Sequence, residues 1–430
     1  MSSEYTGPKT MDEACSLDFL KKAFGSDAVE LVDRKDLVGG VLSLTSMLTV
    51  KVGDKRQRVV VKIPTSVEGS RAFAVAGNAY MKEVNVYKKL KEDLASIDFT
   101  IPNIVYSDSD STDNEQTCEW FVLVIEAFSP DKWSVQDQVK GMDYGPWKLA
   151  VADLAKFHAK FWKSDRIDEE WVTSKAAVEQ NAGHSILAFF QPFHQGFPAA
   201  KTAFWDLWGN GTPNERTKLC CYFHDGPYVT GPANEEAGGT TFDLGPMKEA
   251  LEFLALKEVC MPLHTKMYET IRSRPRTLTY GDYRGDNMFC NVEGTKMAYI
   301  DFQLFNAGPP GYDFNQPVGS FDFSVFSNYE EFVQIWYDTM AKQPNGKDII
   351  AEYPKEHFME DWIIGCIQFV TGIIPLGVGT FSQKTGDRMT NLWMYAINRY
   401  MMGMQKLNTH EYIKKLASEC GFDYPSGKKI

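Results

Sequence analysis

The sequence is poor in cysteine, carries no surplus of positive charge and offers few long uncharged runs, and each of these closes off a class of answer. Its eight cysteines among 430 residues form no Cys-x-x-Cys pair and follow no regular spacing, so neither a disulfide framework nor a zinc site is indicated. Cys220 and Cys221 are neighbours; a bridge between them would be strained, and reduced thiols in a reducing cytoplasm are the simpler reading. Lys and Arg number 45 against 57 Asp and Glu, for a net charge of −12. That balance argues against nucleic acid or an anionic membrane as the main partner. The opening Met1-Ser-Ser-Glu-Tyr5 lacks the basic-then-apolar profile of a secretory signal. Neither a nucleophile elbow nor a paired-histidine metal motif occurs, which leaves hydrolase and zincin chemistry without support.

One such run covers the twenty residues 362–381, long enough for a spanning helix. Gly365, Gly372, Pro375, Gly377 and Gly379 interrupt it, and Gln368 and Thr371 lie inside it. The expectation is a buried helix to about Ile374, then a loop, and no membrane span.

What remains is ordinary globular material, 43% hydrophobic and 24% charged, sufficient for a sizeable core in two or three folding units. The first third reads as strands with one interrupting helix. Val38 to Val52 is rich in β-branched residues, and Gly53-Asp54 supplies a turn. Val59-Val-Val-Lys-Ile63, stopped by Pro64, suits a central strand, as does Phe121-Val-Leu-Val-Ile125. Helical periodicity runs from about Arg71 to Leu94. Beyond Pro130 helices dominate, with Pro146 to Lys163 amphipathic, and with a Gly-, Pro-, Asn- and aromatic-rich insertion over about 195–245. The expected architecture is α+β: a small β-rich lobe over 1–128 and a larger, mainly helical lobe over 129–430.

The strongest chemical signal is Tyr280-Gly-Asp-Tyr-Arg-Gly-Asp-Asn287, followed by Ile300-Asp-Phe-Gln303. The segments 287–292 and 296–301 read as a hairpin turning at Gly294. On that midpoint Asn287 faces Asp301, with side chains roughly 5 Å apart at Cβ. An amide oxygen and a carboxylate so placed can share a hard cation such as Mg²⁺. Asp282, five residues before Asn287, can approach the same place without joining the metal.

A second signal is independent of the first. Lys62 follows three valines, and Glu83 has Ala79, Tyr80, Val86 and Tyr87 as its helical neighbours. A charge carried by a buried strand and another on an apolar helix face are both costly alone. Pairing Lys62 with Glu83 solves both problems and aims a cation at a phosphate. His158, on the apolar side of its helix, reads as a packed structural histidine.

Together these segments, with Gly39-Gly40, Ser46-Met-Leu-Thr-Val50 and Leu154-Ala-Lys-Phe-His-Ala-Lys-Phe-Trp162, resemble the choline/aminoglycoside phosphotransferase-like kinases. The resemblance is closest to the ecdysteroid-kinase-like branch and covers about residues 38–315 in family order. It implies a protein-kinase-like two-lobed fold and transfer of the ATP γ-phosphate to a hydroxyl of a small-molecule alcohol. It further implies that Lys62, braced by Glu83, holds the α/β-phosphates, and that the loop from Gly39 and Gly40 to Ser46 covers them. Glu126-Ala127-Phe128 would be the hinge meeting adenine, Asp282 the base for the acceptor hydroxyl, and Asn287 and Asp301 the Mg²⁺ ligands. One departure stands out: the family has His where this chain has Tyr280, a position that braces the catalytic loop. That departure is the one support for an alternative, a catalytically silent pseudokinase. The absence of an Ala-Pro-Glu segment after Gln303 argues against a protein kinase.

Overall fold

Strand alternation decides which way each side chain of the N-terminal region faces. In the computed structural model, which describes residues 5–37, 40–110, 118–172, 193–198, 228–229, 241–242, 245–320, 328–380 and 388–430, five antiparallel strands make one sheet. They are β1 Val29–Leu37, β2 Ser43–Val52, β3 Lys55–Pro64, β4 Ile104–Ser109 and β5 Phe121–Glu126, in the order β1-β2-β3-β5-β4. Val59, Val61 and Ile63 of β3 share one core with Val122 and Val124 of β5 and with helices α1 Met11–Ala14 and α2 Leu17–Phe24. Phe121, Leu123 and Ile125 join a second core with Tyr80, Val84 and Tyr87 of a helix on the opposite face. A strand covered on both faces needs no polar alternation, which is why β3 and β5 read as unbroken apolar runs.

Helical residues after β3 fall into three pieces where the sequence suggests one: α3 Glu68–Ala76, α4 Ala79–Lys89 and α5 Lys91–Ala95. The break before α4 is at Asn78, whose φ of 56° is left-handed, a conformation short polar side chains tolerate. The expected strand from Val38 begins at Ser43. Before it comes β1, whose central Asp33-Arg-Lys-Asp36 hides strand character because charge protects a sheet edge.

Beyond the short strand β6 Trp133–Val135, the C-terminal part packs around α6 Tyr144–Lys160, with Trp147, Leu154 and Phe157 fully buried. Its other principal helices are Gly245–Leu254, Lys257–Ser273, Tyr329–Met340, Lys355–Thr380, Arg388–Lys406 and Thr409–Glu419. The core on the α4 side of the sheet continues without a gap into these helices. A small antiparallel sheet and a mainly helical remainder thus make the α+β two-lobed arrangement of a kinase.

One expectation needs correction. The helix expected to end near Ile374 runs to Thr380, through Pro375 and Gly377. Trp362, Ile364, Cys366, Ile367 and Val370 are all buried, so packing along the helix outweighs the poor helix propensity of its second half. Among the described residues no helix is long and apolar enough to cross a membrane. The insertion over about 195–245 lies outside the described residues, apart from a few helical positions at its start, a paired β7 Tyr228–Val229 and β8 Thr241–Phe242, and the first residue of Gly245–Leu254. Six cysteines among the described residues are free thiols; Cys220 and Cys221 fall outside them.

Lys82 of α4 is fully buried, and its ammonium has no hydrogen-bond partner among the described residues. Burial alone pushes its pKa down from 10.5 to about 7. The unfolded chain therefore holds a proton that the folded chain lacks between those values, and stability should rise with pH across that window. Lys82→Met is expected to raise the melting temperature near pH 7, with the gain shrinking towards pH 10. Melting curves of both proteins at the two pH values check this, and an unchanged or lowered melting temperature at pH 7 contradicts it.

Candidate active site

Lys62 pairs in register with Thr45 of β2 and Leu123 of β5, so it stands on the α4 face of the sheet. There its Nζ lies 2.7 and 2.8 Å from the two carboxylate oxygens of Glu83, and 3.4 Å from Asp301 Oδ1. Glu83 is fully buried and Lys62 nearly so. Burial disfavours the ammonium, but Asp301 and Glu83 more than offset this and its pKa is raised. Burial also pushes the Glu83 carboxyl up, against the opposing pull of Lys62.

The opposite wall is the loop from Tyr280 to Asn287, leading into the paired strands Met288–Asn291 and Met297–Tyr299. The expected pairing of Asn287 with Asp301 is off by one residue. Met288 faces Tyr299 and Cys290 faces Met297, which puts Ile300 across from Asn287, and the Ile300 N–H donates to the Asn287 carbonyl at 3.1 Å. The cause is in the turn: Asn291 Oδ1 accepts from the amides of Thr295 and Lys296, both at 2.8 Å, and centres the loop between Glu293 and Gly294. Asp301 therefore leaves the ladder, with a left-handed φ of 67°. It still reaches the cluster, because that backbone turn swings its carboxylate to Lys62.

Asn287 Nδ2 donates to the Asp282 carbonyl at 3.0 Å and to its Oδ2 at 2.8 Å. This turns the amide oxygen of Asn287 away from Asp282 and leaves it for another ligand. The Asp282 pKa is raised by burial; Arg284 opposes the rise, Asp301 adds to it, and the Asn287 amide again opposes it. Among the described residues no three His, Cys, Asp or Glu side chains converge as a metal-binding group. An amide oxygen and a carboxylate are nevertheless suitable donors for Mg²⁺, which takes few protein ligands.

The loop is held from beneath. Asp313 accepts from the backbone N–H groups of Tyr280 (2.7 Å) and Gly281 (2.8 Å), and His158 Nε2 lies 3.0 Å from it. Trp336 Nε1 donates to His158 Nδ1 at 3.1 Å. Since indole N–H only donates, Nδ1 must accept, so His158 carries its proton on Nε2 and gives it to Asp313. Gly281 has φ 82°, and a Cβ there would sit 2.0 Å from the Leu304 carbonyl oxygen, so no other residue fits. The Tyr280 hydroxyl donates to the carbonyl of Ile300, next to Asp301, which makes it a brace between the loop and the end of the hairpin.

The remaining expected residues divide. Gly39 lies outside the described residues, and Gly40 is exposed beside Ser43. Ser46 does not join the cluster. It pairs with Val61, so alternation turns its hydroxyl to the other face, where it donates to Asp36; Thr45 is the residue sharing the Lys62 face. In the hinge segment Glu126 accepts from Asn103 Nδ2 at 2.8 Å, and the Ala127 N–H is used by the Arg58 carbonyl at 3.0 Å. Phe128 packs against Trp133 and Phe289, with ring centroids 5.3 and 5.0 Å away. Sequence reasoning missed Arg284, Gln138 and Asp313. Arg284 sits inside the quoted motif; the other two lie far from it in the chain, and nothing local marks them.

Residues 41–217 match the model of the ecdysteroid kinase-like family, and residues 225–338 match that of the phosphotransferase enzyme family. The chain is similar to ecdysteroid kinase-like phosphotransferases. The likeness expected from the motifs is thus borne out by both family models, one of them a phosphotransferase enzyme family. Among solved structures, Plasmodium vivax ethanolamine kinase is 14% identical, covering 93% of this chain and 91% of that one at a TM-score of 0.44. Choline kinase from Cryptosporidium parvum is 13% identical, covering 94% and 98% at a TM-score of 0.46. A spectinomycin phosphotransferase complexed with ADP and spectinomycin is 10% identical, covering 91% and 97% at 0.45. No curated protein matches the sequence.

For this kinase-like loop the Tyr280 hydroxyl is the testable brace. Tyr280→Phe leaves the half-buried Ile300 carbonyl without its donor from a fully buried ring and should cost about 1–3 kcal/mol. Urea unfolding measures it, and a loss near zero would show that the hydroxyl braces nothing.

Proposed function

We propose that the chain transfers the γ-phosphate of ATP to a hydroxyl of a small-molecule alcohol in a Mg²⁺-dependent reaction. The observation carrying this reading is the convergence of Lys62, Glu83, Asp282, Asn287 and Asp301, contributed by a strand, a helix, a loop and a hairpin end, around one cleft. Phosphoryl transfer asks mainly for positioning and charge neutralisation, and this set offers both. Lys62, fixed by Glu83, binds the α/β-phosphates. The Gly40 loop lies over them, and the backbone of Glu126, Ala127 and Phe128 lines the adenine side, where the Phe128 N–H makes no hydrogen bond among the described residues. Asn287 and Asp301 hold Mg²⁺, which supplies charge neutralisation at the phosphate oxygens. Asp282 orients the acceptor hydroxyl and takes its proton. The acceptor lies between Asp282 and the helical lobe, residues 129–430, while residues 1–128 form the nucleotide-binding lobe.

The same reading places the protein in the cytoplasm, with a small alcohol and no nucleic acid or membrane as partner. It is supported by the acidic balance of the chain and the free thiols. The pseudokinase alternative draws nothing from the geometry, since every charged residue that transfer requires is in the cleft and Tyr280 keeps a bracing bond.

The decisive experiment follows ATP consumption over a panel of choline, aminoglycosides, sterols and sugars. Asp282→Asn should lower turnover about 10²–10⁴-fold while ADP binding persists; unchanged turnover rejects Asp282 as the base. Asp301→Asn, or chelation of Mg²⁺ by EDTA, should abolish transfer, and full activity after chelation rejects the metal assignment.

A further inference from the structure

Two residues beyond Asp282, Arg284 makes contacts that the shape of the loop does not require. The backbone is already closed by its own bonds: the Arg284 N–H to the Asp282 carbonyl (2.9 Å), the Asn287 N–H to the Arg284 carbonyl (3.0 Å) and the Asn287 side chain to the Asp282 carbonyl (3.0 Å). The guanidinium folds back instead onto the carboxylate, with Nε 3.0 and 3.1 Å from the two oxygens of Asp282. Its Nη1 donates to Gln138 Oε1 at 2.9 Å and to Asp286 Oδ2 at 3.3 Å. Nη2 makes no hydrogen bond among the described residues.

Those partners are themselves fixed. Gln138 is buried; its N–H donates to Asp286 Oδ1 at 2.9 Å and its carbonyl accepts from Arg399. Asp286 also accepts from Arg388 Nη2 at 2.8 Å. A line of alternating charge therefore runs from Asp282 through Arg284 and Asp286 to Arg388, at the start of the helix Arg388–Lys406. With Asn287 on one side and Arg284 on the other, the Asp282 carboxylate is gripped at both oxygens and cannot turn about its side-chain bonds.

We propose that Arg284 is a positioning residue for phosphoryl transfer, holding the Asp282 carboxylate at the angle from which it meets the acceptor hydroxyl. The assignment rests on the reading of Asp282 as the base. A lysine cannot replace the arginine in full, because a point ammonium cannot reach the carboxylate, Gln138 and Asp286 together as the planar fork does.

The test is a double-mutant cycle on the full chain, read as phosphate release from Mg·ATP with water as acceptor, alongside ADP binding and thermal melting. Arg284→Met is expected to lower kcat by about 30-fold or more, with the KM for ATP and the Kd for ADP within about twofold of wild type. Arg284→Lys should recover only part of the loss. In an Asp282→Asn background, adding Arg284→Met should change nothing further, because its partner is already altered. An equal fold-loss in both backgrounds, full rescue by lysine, unchanged kcat, or a loss that comes with weakened ADP binding and lowered melting each overturns the proposal. Equal turnover by wild type and Asp282→Asn is a different result: it rejects Asp282 as the base, and Arg284 then has nothing to position. A wild type with no turnover either with water or with any acceptor of the panel rejects the kinase reading itself.

Discussion

The ion pair between Lys62 and Glu83 is the constraint on which the cleft depends. Neither charge is tolerable alone at its depth, so the sheet and α4 must pack in the one relation that joins them. That relation is set by simple periodicities. Alternation along β3 sends Val61 and Ile63 to one core and Lys62 to the other face, and the helical repeat of α4 places Glu83 among apolar neighbours facing the sheet. Asp301 then adds a second carboxylate to the same ammonium from the far wall. Two acids against one base leave this corner negative. On the proposed reading, a triphosphate reaching this corner would need its cation to offset that charge.

The opposite wall shows how a strained loop is kept in shape. Gly281 of this loop and the nearby Asp301 both take left-handed backbone conformations that the surroundings select. The imposing groups are buried and fully bonded. Asp313 receives the loop amides and His158, His158 receives Trp336, and Tyr280 ties the loop to Ile300. Each polar group below the loop spends its capacity on the next, the condition under which a buried network rigidifies.

Much of this was legible in the sequence because the signals were local and costly to ignore. The Lys62–Glu83 pair could be read from three valines and an apolar helical stripe, since burial leaves a charge few options. The hairpin after Asn287 could be read from its turn residues, but its register could not, because the outcome depends on the Asn291 side chain capping Thr295 and Lys296 rather than on Gly294 alone. Ser46, expected at the end of the loop over the phosphates, lies inside β2 paired with Val61, where alternation turns its hydroxyl to the other face. The helix through Pro375 was hidden because its composition speaks against a helix there, while the turns before it are held by buried Trp362, Ile364, Cys366, Ile367, Val370 and Ile374. Asp313 and Gln138 were out of reach, since their partners lie 32 and 146 residues or more away along the chain.

The backbone at Asp301 has an evolutionary consequence. Its φ of 67° admits glycine, asparagine and aspartate with little penalty and penalises nearly everything else. Architecture alone would let a lineage drift among those three, while the proposed chemistry needs the anion. A descendant that kept this conformation with asparagine would preserve its shape and lose its charge, so silence could arise by one nucleotide change and leave the scaffold free for other employment.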